Sequence, residues 1–433
     1  MKQQQFNLRK VATIVACLAV TTIFPSCDSG NLDDDEGGGN GKVWVDKKGG
    51  KTQRFAKLDD AFLPIRISGP GEYTIRIGEN QHITSRENFF VNEDQIITMK
   101  AESGTVEITC SHDILYHFTV SFGTTVILDK GIIIKGLNEE DGYGGITVYD
   151  KGKLIMNEGA KIIECGGTAV LVETQGIFEM NGGTICDNLN FGVSLGNGTY
   201  NEGFFTMNGG SISDNGFVGS GYPGVGIDNG TFTMNDGVIS GNADCGVSMS
   251  DGKFTMKKGS IINNMKRYNG GKDGGGVHVS FSSTFTMDGG EISGHTVRSG
   301  GGVFVGGDAR NRGTFIMNGG TIAKNKAEDG GGVYINSYAD FTMNGGTISG
   351  NTAEKCGGGV YISNNVTFIK TGKSIIYGEN GGSNANKALT GLSGIYGHAA
   401  YVNSSSVKRD LTAGEEVVMR WSYNGATKQG WDN

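Results

Sequence analysis

Along most of the chain, apolar and polar residues alternate in short runs separated by Gly and Asn. Alternation at a period of two marks a β-strand with one buried face. Three kinds of run recur in fixed order: G-G-V-x-V, F-x-M-N and x-I-S. The last two are joined in FEMNGGTICDN from Phe178, FTMNGGSISDN from Phe205, FTMNDGVISGN from Phe232 and FTMKKGSIINN from Phe254. They return in FTMDGGEISGH from Phe285, FIMNGGTIAKN from Phe315, FTMNGGTISGN from Phe341 and a decayed copy from Phe368, with weaker copies at Val126 and Leu154. The first run reads GGVHV at Gly275, GGVFV at Gly301 and GGVYI at Gly331 and Gly358, with shorter forms at Gly192, Gly224 and Gly246. The copies start 22 to 31 residues apart, with a mean of about 27.

Three strands and three turns fill such a repeat, which is one coil of a parallel β-helix. Coils stacked at about 4.8 Å bring equivalent residues into columns. Phe178, Phe205, Phe232, Phe254, Phe285, Phe315, Phe341 and Phe368 form one inner column. Met156, Met180, Met207, Met234, Met256, Met287, Met317 and Met343 form another, and the Thr between them points outward. Two Asn columns follow: Asn157, Asn181, Asn208, Asn235, Asn318 and Asn344, and Asn188, Asn215, Asn242, Asn264, Asn325 and Asn351. Asn tolerates left-handed backbone, and its amide can bond the coils above and below, so both columns read as structural ladders. The fold expected is all-β, a solenoid of about ten three-strand coils on the order of 50 Å long.

Open stack ends would expose strand edges. A short N-terminal capping helix is expected over Thr52 to Ile65, where Phe55, Leu58, Phe62 and Ile65 share one face. YTIRI at Tyr73 and QIITM at Gln95 read as early strands. The organisation is therefore 1–26 signal, 27–41 tether, 42–119 N-terminal cap and first strands, 120–402 repeats and 403–433 C-terminal cap.

Composition supports a β-array. The chain holds 76 Gly and only 4 Pro in 433 residues. Collagen would need a Gly-X-Y period and abundant Pro, and helices would lose about 1 kcal/mol at each interior Gly. The 21 Phe and 13 Met are too regularly placed for a solvated linker.

The N-terminus reads as an export signal. Lys2, Arg9 and Lys10 precede an apolar run, Val11 to Phe24, that is too short to span a bilayer. Its end, Phe24-Pro25-Ser26-Cys27, resembles a bacterial lipobox. That resemblance implies cleavage before Cys27 and lipidation of it, so contact with the membrane is expected through the lipid alone. Phe24 and Pro25 depart from the usual Leu-small-small pattern. Residues 28–41 form an acidic, Gly-rich tether. Its cluster Asp33, Asp34, Asp35 and Glu36 resembles the surface-export signal of Bacteroidota-type lipoproteins.

Loss of the three basic residues with the signal takes the formal charge from −8 to −11. An acidic chain without a basic block is a poor partner for nucleic acid. Cys110, Cys165, Cys186, Cys245 and Cys356 are odd in number, irregularly spaced and without a CxxC, so they read as small buried residues. With only 6 His, neither a metal site nor a cofactor is expected, and the chain is read as a monomer.

The FTMN and GGGV strings resemble the FxxN and GGA-aliphatic repeats of polymorphic outer-membrane adhesins. More broadly, residues 120–402 resemble the right-handed parallel β-helices of the pectin-lyase-like superfamily. The resemblance implies right-handed winding and a displayed surface protein. Adhesins of that group end in a membrane β-barrel, for which this chain has no room, and a lipid at Cys27 would replace it.

Many pectin-lyase-like proteins cleave polysaccharides, and a polysaccharide lyase or glycoside hydrolase is the alternative reading. The hydrolases' short Asp signatures and a repeated Ca²⁺-binding nonapeptide are absent, so no catalytic residue is assigned. The densest polar cluster is Asp273, Arg298, Glu328, Asp329, Glu354 and Lys355; Asp273 and Asp329 lie two coils apart, roughly 10 Å. The outward position of the G-G-V-x-V strand offers more. It is Ser194, Gly226 and Ser248 early, then His278, Phe304, Tyr334, Tyr361 and Tyr401. Exposed aromatics in a row can stack on sugars or meet a protein partner; under a loop they would instead pair with each other across strands. These five are the candidate ligand-binding residues, for a glycan or a host surface.

Overall fold

The computed structural model describes residues 42–85, 89–139, 144–196, 201–217, 219, 221–265, 273–370, 374–390 and 397–403. It also gives the backbone of three late strands, Val407–Asp410, Val417–Trp421 and Gln429–Trp431. The expected signal, tether and Cys27 lie outside the described residues.

The chain winds as a right-handed parallel β-solenoid of about ten coils with a period of about 27. Each run of the repeat supplies one wall. The F-x-M strands build a 16-stranded sheet, the x-I-S strands a 12-stranded sheet and the G-G-V-x-V strands a 13-stranded sheet. Register follows the repeat without slippage: Phe205 pairs with Phe232 and Met207 with Met234. Parallel stacking reaches back before the regular repeats, where Gly71–Ile77 pairs with Gln95–Ala101.

The core is made of the predicted columns. All eight Phe from Phe178 to Phe368 are buried. Their rings stack face to face, as between Phe205 and Phe232 at 4.6 Å and 5°. The Met column is equally buried, and from Met156 to Met317 each sulfur-bearing tail ends against a turn glycine one coil on. At Gly183 (φ 83°) a Cβ would lie 2.8 Å from Met156 Cε and 2.5 Å from the Ala160 carbonyl. Glycine is required there by both space and backbone.

The two Asn columns differ. Asn188, Asn215, Asn242, Asn264, Asn325 and Asn351 are buried. Asn215 Nδ2 donates to Asn242 Oδ1 at 3.0 Å and to the Ile185 carbonyl at 3.2 Å. Its Oδ1 accepts from the Asn188 amide at 2.7 Å. Both amide atoms of Asn215 are thereby hydrogen-bonded within the interior. The column continues to Asn386 and includes one exception, His295. The other Asn column is exposed, with Asn208 Nδ2 donating to Asn181 Oδ1 at 2.9 Å.

The N-terminal helix, α1 (Leu58–Ile67), begins later than expected. Thr52–Phe55 is instead a strand, antiparallel to Val43–Lys47, because its backbone groups satisfy that strand's open edge. Leu58, Ala61, Phe62 and Ile65 keep the one-face spacing and are buried. Phe62 meets Phe90 at 5.5 Å and Phe118 at 5.7 Å, both edge-on. Among the described residues no helix is long and apolar enough to cross a membrane.

Candidate ligand-binding face

Among the described residues the last coils alone carry a fourth sheet: Thr296–Ser299, Lys326–Asp329, Thr352–Cys356 and Lys387–Ala388. Alternation gives it two faces. Val297, Ala327, Ala353 and Ala388 are buried, while Arg298, Glu328 and Lys355 face solvent. From the first three strands the chain turns sharply into the next G-G-V-x-V run through a left-handed glycine, Gly300, Gly330 or Gly357. The turn is tight because the aromatic column lies under it; a Cβ at Gly330 would be 3.0 Å from Tyr334 Cβ.

This layer changes the expected aromatic strip. His278, Phe304, Tyr334, Tyr361 and Tyr401 do point away from the solenoid core, in register. Phe304, Tyr361 and Tyr401 are nevertheless buried, at 7%, 6% and 0% exposure, and only His278 and Tyr334 are half-buried. The rings also occupy each other's faces. Phe304 and Tyr334 stack at 5.6 Å, Tyr334 and Tyr361 at 4.5 Å, and Tyr361 and Tyr401 lie tilted at 5.3 Å. His278 meets Phe304 edge-on at 4.9 Å. A sugar therefore cannot lie flat on Tyr334; what the column presents is ring edges and the margin around them. Period-two alternation tells which way a side chain points, but not whether a further layer covers it. Changing Tyr334 and Tyr361 together to Ala would remove two stacked rings and so test packing rather than binding.

Charged groups gather along that margin. Arg298 grips Asp273 with two bonds, Nη2 to Oδ2 at 3.0 Å and Nε to Oδ1 at 3.2 Å. Lys355 pairs with Glu328 at 2.7 Å and Lys326 with Glu354 at 3.2 Å. Asp329 is the odd acid. It has no cation partner among the described residues, and its Oδ1 accepts the Cys356 N–H at 3.1 Å. Burial pushes its carboxyl above the usual range. Burial likewise raises the Tyr334 phenol, helped by the nearby Asp329 and Asp273 charges.

The sequence cluster is thus assembled as one face, with Asp273 and Asp329 separated by Ser299 in one column. Cys356, packed against Tyr361 and Tyr401, belongs to it and was not singled out by the sequence. The five cysteines among the described residues are free; burial pushes the thiols of Cys110 and Cys186 up, to about 11 and about 12. No cluster of three or more metal-ligating residues occurs among the described residues. No protein-family model, curated protein or solved structure matches this chain.

Proposed function

We propose that the protein is a lipid-anchored rod displayed at the cell surface of the outer membrane, working as an adhesin or glycan-binding protein on a pectin-lyase-like scaffold. The observation that carries this is the break in repeat symmetry. Among the described residues the late coils alone carry a fourth sheet, and beside it carboxylates, a guanidinium and half-open aromatics converge outside the core. A purely structural rod has no need of that layer. The ligand would read the carboxylates and the Tyr334 edge rather than ring faces.

A glycan array probed with residues 42–433 tests the reading, since residues 41–433 form one compact unit. Tyr334→Phe combined with Asp329→Asn keeps the ring stack and removes one hydroxyl and one charge. It is expected to weaken binding about tenfold, the effect of one or two hydrogen bonds to a charged group, with the melting temperature unchanged. Unaltered binding would sink the face as the site.

One observation favours the enzymatic alternative. Burial pushes the Asp329 carboxyl above its ordinary range while Asp273 is ion-paired with Arg298, and hydrolases use two carboxyl groups in unlike surroundings. Release of reducing ends from any glycan bound on the array would favour that reading over a binder.

The anchor has its own test. Cys27→Ser is expected to move nearly all the protein from the membrane fraction to the soluble one. Wild-type protein that incorporates no labelled fatty acid in growing cells would contradict lipidation.

A further inference from the structure

The corner leading from the G-G-V-x-V sheet into the F-x-M sheet carries a second aromatic group, on a different side from the face above. In one coil this corner is two residues, Asp251 and Gly252; in the next it is three, Phe281 to Ser283, because Ser250 pairs with Ser280 and Lys253 with Thr284. The coil after that extends the corner to a seven-residue loop, Gly306 to Arg312, and the following one returns to three, Asn336 to Tyr338. Phe281 and Tyr338 thus flank the loop, two coils or about 10 Å apart. The 30-residue repeat from Phe285 to Phe315, four residues longer than the next, marks the loop.

Both rings sit on left-handed backbone, Phe281 at φ 49° and Tyr338 at φ 57°. Bulky side chains seldom adopt that conformation, but the corner repeats it in other coils, as at Phe122 (φ 50°) and Asp251 (φ 57°), so the turn itself fixes the direction in which Phe281 projects. Phe281 is 45% exposed, and among the described residues no aromatic ring stacks on it. No ring among those residues occupies its faces, unlike those of Tyr334 and Tyr361.

The loop beside it is fixed before any ligand arrives. Asp308 Oδ1 accepts the N–H groups of Arg310 and Asn311, both at 2.8 Å. Ser282 Oγ donates to Asn311 Oδ1 at 3.2 Å, tying the loop to the residue after Phe281. Arg312 clamps the loop's end through Asp340, at 2.6 and 2.9 Å, and through the carbonyls of Ala339 and Asn365. Arg310 stays at the surface.

We propose that Phe281 and the loop Asp308–Asn311 form a sugar-binding subsite for a neutral pyranose. The C–H face of the ring would stack on Phe281, and its hydroxyls would meet the Arg310 guanidinium, the outer Asp308 oxygen and the Asn311 amide. Formal charges balance, Arg310 and Arg312 against Asp308 and Asp340, so the subsite offers a uronate no net positive charge. Ordering of the loop on folding removes much of the entropy that binding would otherwise cost. The proposal rests on the glycan-binding reading but assigns a site of its own.

The test is saturation-transfer NMR on the full-length chain in detergent, with cello-, xylo- and manno-hexaose as neutral probes and oligogalacturonate as the anionic one. A neutral probe is expected to bind. Phe281→Gly is expected to weaken it at least tenfold while the melting temperature holds or rises, because glycine accepts φ 49° without strain. Arg310→Ala is expected to weaken it several-fold. Retained affinity in Phe281→Gly, a lower melting temperature showing that the ring packs structurally, or preference for oligogalacturonate would each overturn the subsite. Binding lost in Tyr334→Phe with Asp329→Asn but kept in Phe281→Gly would leave the glycan reading standing and remove this one. A wild type that binds no probe would overturn both.

Discussion

Phe232→Ala is expected to destabilise the protein by about 3–5 kcal/mol, the cost of deleting a buried aromatic ring from a packed core. Phe232 lies in mid-array with no exposed surface. Phe205 covers one face and Phe254 the other, each at 4.6 Å and within 5° of parallel. The cavity cannot collapse, because neighbouring coils are held at a fixed rise by the ladders on either side. Phe368→Ala should cost distinctly less. Its ring is stacked on Phe341 alone, at 5.1 Å and 19°, and its strand is the last parallel one before an antiparallel neighbour. In a linear array each coil is stabilised mainly by those next to it. Equilibrium unfolding in denaturant measures both variants. Small and equal losses at the two positions would contradict the difference between a middle and a terminal coil.

The same reasoning shows why the inner columns were legible in the sequence. Phe, Met and the buried Asn recur at a fixed place in every repeat, and a parallel stack turns fixed sequence positions into contacts. Nothing beyond the local repeat decides them. The cover over Phe304, Tyr361 and Tyr401 is of another kind. It depends on Thr296–Ser299 and its three partner strands, which are short, mixed in polarity and, in the case of Lys326–Asp329, without an apolar alternation strong enough to announce a strand. The helix boundary failed for a similar reason. Phe55 fits the helical face, but the free edge of Val43–Lys47 competes for its segment. The loop beside Phe281 was present as a lengthened repeat, but which corner of the coil held the extra residues, and that Phe281 lies next to it, followed only from the strand boundaries.

His295 occupies a position that Asn fills in the neighbouring coils, and the substitution is expected to make the fold sensitive to acid. Asn325 Oδ1 already accepts the backbone N–H of His295, so it must also accept from Nδ1, at 2.9 Å. Asn264 Nδ2 is a donor, so Nε2 must accept, at 3.3 Å. The ladder thereby selects the neutral ring protonated on Nδ1. A second proton on Nε2 would face an amide N–H. Burial drives the ring's pKa down to about 4, against partial support of the charged form by Asn325. His117 is held in the same way with the opposite tautomer. The Gly145 N–H donates to Nδ1 at 3.0 Å, and Nε2 donates to the Lys135 carbonyl. Its pKa also falls to about 4, through burial first. In the unfolded chain both rings titrate near 6.5. Between about pH 6.5 and 4 the unfolded state therefore binds more protons, and stability falls as pH falls. Above that window the contribution is fully present. Each ring is expected to remove up to about 3 kcal/mol across it, an order-of-magnitude value from the linkage of pKa to stability. Denaturant midpoints at pH 7.5, 5.5 and 4.5 should decline for the wild type. His295→Asn restores the regular ladder and should recover about half of the decline, with no loss at pH 7.5. A variant whose midpoints track the wild type at every pH would show that His295 does not carry the acid sensitivity.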